Sequence, residues 1–200
     1  VGACADADMA TFSFLPVKTI TTGEGGAITT GDADTAGRLR LARNHGMTRA
    51  EAEFENGDMA LDPSGTANPW YYEMAEPGYN YRLSNLHAAV GLAQVERLEE
   101  FVAARRSHME LYSSALSGVP GVMVIEEQEW SKSNYWLSTV LLDPQVFPLS
   151  PAETSQELNR AGIEARRPFV PNHLLPPYAN ERRFGELPVA CSLYQRGINL

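Results

Sequence analysis

Lysine is almost absent from this 200-residue chain, in which Lys18 and Lys132 stand against fourteen arginines. Because arginine supplies nearly all of the basic charge, each lysine needs its own explanation. A guanidinium stays protonated and is a poor nucleophile, whereas a lysine amine in a partly desolvated turn can lose its proton and attack a carbonyl carbon. Lys18 is therefore interpreted either as a covalent anchor for a carbonyl cofactor or as a surface lysine in a hairpin.

Metal-binding residues are also scarce. The two cysteines, Cys4 and Cys191, have no metal-like spacing, and we expect free thiols rather than a structural disulfide. Four histidines are present, and none is paired at the spacing of metal ligands. We therefore expect no metal site. The histidines are His45, His87, His108 and His173.

Two further absences limit the class of partner. The net charge of −9 argues against binding to a nucleic-acid backbone or to an anionic membrane surface. No apolar run approaches the length of a membrane span, and no signal peptide opens the sequence. We expect a cytoplasmic protein that binds neither nucleic acid nor membrane. Because the chain begins at Val1 without a methionine and stops as a new apolar segment begins, we expect an internal fragment.

The stretch FSFLPVKTITTGEGGA places Lys18 between two short β-prone runs, residues 10–14 and 27–30. The connection between them is rich in threonine and glycine, and its glycines allow a backbone to approach a ligand closely. Ser13 adds a hydroxyl on the first strand. A nucleophile elbow and phosphate loops of the Walker or Rossmann type are absent. The remaining lysine, hydroxyl and glycine turn suit a phosphorylated aldehyde such as pyridoxal phosphate (PLP).

The rest of the chain predicts a mixed α and β protein. Helices are expected at 33–44, 85–116, 151–160 and 188–196, and strands at 122–125 and 135–142. The first half of the helix at 85–116 is expected to be buried on most sides. Residues 1–116 are assigned to part of a large domain with a linking helix, and residues 117–200 to an incomplete small α+β domain.

Three runs of the chain carry a resemblance to a known family: FSFLPVKTITTGEGGAITT, RNHGMTR and WYYEMAEPGYNYRLSNLHAAVGLAQVERLEEFVAARR. Together with the later GIEARRPFVPNHLLPPY they resemble the DegT/DnrJ/EryC1/StrS family of PLP-dependent nucleotide-sugar aminotransferases. The resemblance implies an α/β chain of fold type I, like aspartate aminotransferase, with a partial large domain followed by a small α+β domain. Within the family it points to the branch that aminates C4 of a UDP-linked 4-keto-6-deoxy sugar.

The same resemblance implies roles for individual residues. Lys18 would hold the cofactor and then act as general base, and Ser13 would bind the cofactor phosphate. Asn80 would reach the phosphate in the neighbouring subunit of a homodimer, and Arg82 would order that loop or the substrate. Arg167 and His173 would meet the nucleotide diphosphate, although a solvated arginine and a loop histidine are equally open readings.

The chain also departs from the family pattern. Leu15 replaces an expected histidine, and the aspartate that pairs with the pyridinium nitrogen would lie before residue 1, as would the phosphate loop. The primary hypothesis is amino transfer from L-glutamate to a keto sugar for surface glycan synthesis, with the fragment alone inactive. The alternatives are a non-catalytic sugar-binding or regulatory homologue, or an aminotransferase for a 3-keto dTDP-sugar.

Overall fold

The computed structural model describes residues 2–183 and 185–200 of the chain. Contacts between residues divide it into two compact units, Val1–Arg97 and Leu98–Leu200. We call them the N-terminal unit and the C-terminal unit and describe each by itself. The sequence-based assignment of residues 1–116 and 117–200 to two domains stays a prediction.

An antiparallel hairpin is the first element of the N-terminal unit. It consists of β1 (Met9–Ser13) and β2 (Gly26–Thr30), with Phe12 opposite Ala27 and Ser13 opposite Gly26. Helix α1 (Ala33–Ala42) follows at once, because the Asp32 carboxylate accepts the Thr35 amide hydrogen at 2.6 Å and caps the helix. The hairpin and the capped helix confirm the elements predicted from the sequence.

The second part of the N-terminal unit is mostly irregular. Short strands β3 (Met47–Thr48) and β4 (Glu73–Met74) pair antiparallel, and the segment between them contains two single-turn 3₁₀ helices. Helix α2 (Asn85–Val95) closes the unit, with the Ser84 hydroxyl accepting the amide hydrogen of His87.

The C-terminal unit is a compact α+β body. Helix α3 (Leu98–Leu116) leads into β5 (Val122–Val124) and β6 (Thr139–Leu142), and α4 (Pro151–Arg160) follows. Helix α5 (Pro188–Arg196) then runs directly into β7 (Gly197–Asn199). The three strands form an antiparallel sheet in the order β5-β6-β7. The core of this unit lies on the sheet and comprises Val140, Leu142, Ala165 and Ile198, the last fully buried.

Three sequence predictions were wrong in detail. The single helix expected at 85–116 is two helices, because the Arg97 amide bonds to the Gln94 carbonyl three residues back and ends α2 in a turn. The strand expected from residue 135 begins only at Thr139, because Tyr135 has φ +43°, outside the β region. The early part of α2, expected to be buried, is exposed, with Leu86 81% accessible.

Candidate active site

Lys18 lies in a loop of residues 14–25 that joins β1 to β2 and is closed by backbone hydrogen bonds. At its base the Phe14 amide donates to the Gly25 carbonyl at 2.9 Å, and the Thr22 amide donates to the Phe14 carbonyl at 3.0 Å. The Lys18 amide donates to the Leu15 carbonyl at 3.0 Å, which forms a turn directly before the lysine side chain. Lys18 is half-buried. The lysine therefore stands in a defined turn at the end of a paired strand.

Helix α2 fixes the far side of the same loop. The Thr21 amide donates to the Gln94 side-chain oxygen at 3.3 Å, across 73 residues of sequence. A Cβ atom on Gly91 would lie 2.7 Å from the Thr22 methyl group, so the loop rests closely on the helix. The contact with α2 holds the loop from outside the hairpin, and Thr22 is buried by it.

Two of the sequence motifs, HGMTR and PGYNYR, form one backbone unit at the end of α1. The His45 amide donates to the Tyr79 carbonyl, and the Tyr79 amide donates to the Ala42 carbonyl, both at 2.9 Å. Gly46 has φ +67°, and a Cβ there would lie 1.7 Å from the Glu76 carbonyl oxygen. Only glycine fits at position 46, because the chain passes so close to the backbone of Glu76. This backbone crossing places residues 79–82 beside the end of α1.

Asn80 and Arg82 are brought together on the exposed side of that segment. The Arg82 Nε–H donates to the Asn80 Oδ1 atom at 3.0 Å. This bond occupies the carbonyl end of the amide and directs its NH₂ group, a donor, away from the arginine. Tyr79 and Tyr81 stack alongside, with ring centroids 5.1 Å apart. The segment thus presents an amide donor next to a cation, which suits an anionic ligand.

The WYYE motif organises the irregular segment that precedes this one. The Glu73 carboxylate accepts the amide hydrogens of Glu55 at 2.7 Å and Asn56 at 2.8 Å, and the Tyr71 hydroxyl at 2.9 Å. Burial raises the pKa of Glu73, but these three donors outweigh it and hold the pKa below its ordinary value. Glu73 is therefore a structural anchor for the loop after β3, a role that the sequence analysis missed.

The two site residues predicted in the C-terminal unit are both engaged by their own unit. Arg167 donates to the Tyr194 and Gln195 carbonyls at the end of α5, the first at 2.5 Å, and its guanidinium lies 5.1 Å from the Tyr194 ring centroid. These contacts cap the helix, whose carboxyl end favours a cation. The Arg167 Nε atom is buried without a hydrogen-bond partner among the described residues. His173 contacts the Cys191 thiol.

A wide cleft of about 1030 Å³ opens on the N-terminal unit, but neither Lys18 nor Ser13 lines it. Its walls are mostly apolar, with Phe12 and Phe14 of the hairpin region, Tyr79 and Tyr81, but they also include Arg40 and Arg43. Because neither Lys18 nor Ser13 lines it, the cleft does not support the role of Lys18 as cofactor anchor.

The residues around Lys18 fit an aldehyde cofactor that carries a phosphate. The amine can form an imine with an aldehyde, and the exposed Ser13 side chain lies on the strand that leads into the loop. Among residues 2–183 and 185–200 no cluster of three or more metal-ligating side chains occurs. Within the same residues no helix is both long and apolar enough to cross a bilayer. Lys18 and Ser13 thus supply the amine and the hydroxyl that a carbonyl cofactor with a phosphate needs.

The chain belongs to the DegT/DnrJ/EryC1/StrS aminotransferase family, whose model matches residues 1–200. It is 35% identical over 194 residues to a GDP-perosamine synthase of Caulobacter vibrioides, covering 96% of this chain and 47% of the relative. It is 30% identical over 167 residues to a UDP-4-amino-4,6-dideoxy-N-acetyl-beta-L-altrosamine transaminase of Campylobacter jejuni, covering 84% and 40%. The chain thus spans about half the length of the curated relatives it matches.

Solved structures show the same fold. The aminotransferase TlmJ from Streptoalloteichus hindustanus superposes with a TM-score of 0.78 at 25% identity, covering 99% of this chain and 47% of that one. This likeness confirms the α/β fold class expected from the sequence, that of the PLP-dependent sugar aminotransferases, for a partial chain.

Sequence reasoning named the lysine and its loop but missed what holds them. Gly91 lies in the half of the helix that was expected to be buried, and Gln94, a lone glutamine after the run AAVGLA, was given no role although it was a visible signal. Residue spacing cannot show that Gln94 reaches a threonine 73 positions earlier, because that contact depends on tertiary packing. The contact of His173 with Cys191 was missed for the same reason.

Proposed function

We propose that the full-length protein is a PLP-dependent aminotransferase that acts on a keto group of a nucleotide-linked sugar. The observation that carries this proposal is the position of Lys18, half-buried in a loop closed at its base and held by α2. A rigid support of this kind lets a reactive amine be positioned accurately. Family membership and the names of the relatives support the same activity.

The chain's own residues have distinct tasks in this proposal. Lys18 holds the cofactor and, when released, carries a proton to and from the substrate carbon as a general base. Ser13 donates its hydroxyl to the cofactor phosphate. When bound, PLP supplies an electron sink that makes the substrate carbon acidic. The threonine and glycine backbone of residues 19–25 keeps the amine in place between these steps.

The proposal assigns Asn80 and Arg82 to an anion. The Asn80 amide, held by Arg82 at 3.0 Å, would donate to the cofactor phosphate of a second subunit, so the active site would require a homodimer. Arg167 and His173 are proposed contacts of the nucleotide diphosphate. For Arg167 this requires the side chain to move, because its Nε–H is buried and its guanidinium bonds to the end of α5.

For the substrate we propose a 4-keto-6-deoxy sugar on a nucleotide, with L-glutamate as amino donor, in the cytoplasm. Both relatives named above are sugar enzymes, but their printed names refer to GDP and UDP carriers. The prediction of a UDP carrier therefore remains a proposal. Expected products are amino sugars for a bacterial surface polysaccharide or glycan.

The test is covalent trapping in the full-length protein. We expect borohydride to fix PLP on the peptide that contains Lys18, and the variant K18A to lose the adduct and the transamination of keto nucleotide sugars. The variant K132A is the matched control, because it removes the chain's other lysine. A K18A protein that still forms a reducible PLP adduct would refute the assignment, because another lysine would then hold the cofactor.

The alternative of a non-catalytic sugar-binding homologue has a separate signature. Such a protein would bind a nucleotide sugar without PLP, and its K18A variant would bind the sugar equally well.

Half-transamination with a panel of 4-keto and 3-keto nucleotide sugars distinguishes the two regiochemistries. We expect no activity from residues 1–200 alone, since the apolar cleft and α2 would remain uncovered.

A further inference from the structure

The C-terminal unit contains a thiol and an imidazole in direct contact. The Cys191 Sγ atom lies 3.4 Å from the His173 Nε2 atom, within hydrogen-bonding distance for sulfur. Cys191 lies in α5, and His173 in a 3₁₀ turn formed by Asn172–Leu174. Both residues are half-buried, so the sulfur is shielded but within reach of a small molecule.

The turn that carries His173 is held in place by a second contact. The Arg183 guanidinium donates to the His173 carbonyl at 3.1 Å and to the Ala179 carbonyl at 3.0 Å. The main chain of the histidine is thus fixed on one side and its ring on the other. An imidazole nitrogen without a hydrogen can accept the proton of a thiol, and the resulting thiolate is the nucleophilic form of sulfur.

We propose that Cys191 is a modification site for peroxides, with His173 as the proton acceptor. In the reaction the sulfur attacks one peroxide oxygen, an S–O bond forms and the O–O bond breaks. The thiol proton passes to His173 and then to the departing hydroxide, which leaves as water. The cysteine is oxidised to a sulfenic acid, and the peroxide is reduced.

Cys4 provides an internal control of the same residue type. Its sulfur contacts the Thr29 carbonyl oxygen at 3.4 Å and the Gly2 carbonyl oxygen at 3.5 Å. Carbonyl oxygens accept a hydrogen bond but do not take up the thiol proton at neutral pH. The proposal therefore requires Cys191 to react faster than Cys4 under identical conditions.

The test exposes the full-length protein to hydrogen peroxide with a 1,3-dione that traps sulfenic acids. Mass spectrometry then measures the labelling rates of the peptides that contain Cys191 and Cys4. We expect H173A to slow labelling of Cys191 about a hundredfold, the low end of the range for general-base assistance. The rate at Cys4 should not change, and free imidazole should restore much of the rate at Cys191 in H173A.

A second variant separates proton transfer from support of the fold. Glutamine in H173Q fills the space and can form a hydrogen bond to sulfur, but it cannot accept the proton, so we expect it to be as slow as H173A. Equal rates at Cys191 and Cys4 in the unmodified protein would overturn the proposal. So would a slow H173A that imidazole does not rescue, because the contact would then only join the turn to α5.

Discussion

The N-terminal and C-terminal units differ in how they bury apolar side chains. All of the buried hydrophobic residues among those described belong to the C-terminal unit, from Met109 to Ile198. The buried polar residues of the N-terminal unit are Thr22 and Thr48. The loop that carries Lys18 is therefore held by hydrogen bonds and close backbone contacts, whereas the C-terminal unit rests on a core of its own.

The exposed surface shows that both units leave apolar side chains uncovered. The chain has a solvent-accessible surface of 14737 Å². Two separate compact proteins of half its mass would together expose about 11,200 Å². Exposed apolar side chains lie on both units, such as Leu92 of α2 at 64% and Val189 of α5 at 70%, but only the N-terminal unit lacks buried apolar side chains among its described residues. We infer that the N-terminal unit is stabilised by protein surface outside these 200 residues, such as the other half of the family fold.

The largest expected effect comes from separating the two units. Residues 98–200 expressed alone should fold cooperatively, because a buried core and a three-stranded sheet form within that unit. Residues 1–97 alone should not fold, because none of their described apolar side chains is buried. Circular dichroism and urea titration of both pieces measure the difference. A cooperative transition in residues 1–97 would show that the hairpin and its hydrogen bonds suffice without a core.

A smaller effect is expected from shortening one isoleucine in each unit. Ile198 is 0% exposed, and I198A should lower the free energy of unfolding of the C-terminal unit by about 2–5 kcal/mol. Ile28 is 49% exposed, and I28A in the 200-residue chain should cost only about 0.5 kcal/mol. Urea unfolding of the two variants tests the contrast. Equal losses would mean that the N-terminal unit buries Ile28 in solution.

Adding one carbon atom at Gly46 should disturb the backbone crossing and lower the stability of the protein. G46A places a Cβ 1.7 Å from the Glu76 carbonyl oxygen at φ +67°, and it should destabilise the full-length protein by about 1–3 kcal/mol. It should also lower activity, because residues 79–82 would shift.

The control for Gly46 is Gly37, inside α1. No atom lies within 4 Å of the position of its Cβ, so G37A should stabilise the helix by up to about 1 kcal/mol. Thermal melting and transaminase assays of the two variants should therefore give opposite changes in stability. If G46A had the melting temperature and the transaminase activity of the unmodified protein, Gly46 would not lie as close to the Glu76 carbonyl as described.

Local signals in the sequence predicted a large part of this fold. The run Ser150–Glu153 indicated a capping box, and both of its hydrogen bonds occur in α4. Asp32 indicated the start of α1, and the glycine-rich stretch indicated the hairpin around Lys18. These features depend on residues a few positions apart, which a sequence displays directly.

The rest depended on contacts between distant residues. The hydrogen bond from Thr21 to Gln94 cannot be deduced from helical spacing, because it needs the loop to be present. The predicted burial of α2 failed because no described residue of this chain covers its apolar side chains. The positions of Ser13 at the end of β1 and of Lys18 in the loop that follows were predictable, and their chemical roles stay predictions.

The smallest expected effect concerns an ion pair in the C-terminal unit. The Arg106 guanidinium forms two hydrogen bonds to the Glu127 carboxylate, which also accepts the Ser133 amide hydrogen at 2.6 Å. These contacts, with Arg106 first, lower the pKa of Glu127 to about 2. A lowered pKa in the folded state gives stability that is present above the ordinary pKa of a glutamate and is lost as pH falls toward 2.

The variant E127Q should therefore remove part of the acid sensitivity of residues 98–200. Its stability should be below that of the unmodified unit at pH 7 and should change less between pH 5 and pH 2, because glutamine does not titrate. E129Q, which changes an exposed glutamate two positions later, should keep the original pH dependence. Urea unfolding at several pH values measures both. If E127Q and E129Q lose stability in acid along the same curve, the pair with Arg106 does not contribute to folding, and the C-terminal unit is held by its core alone.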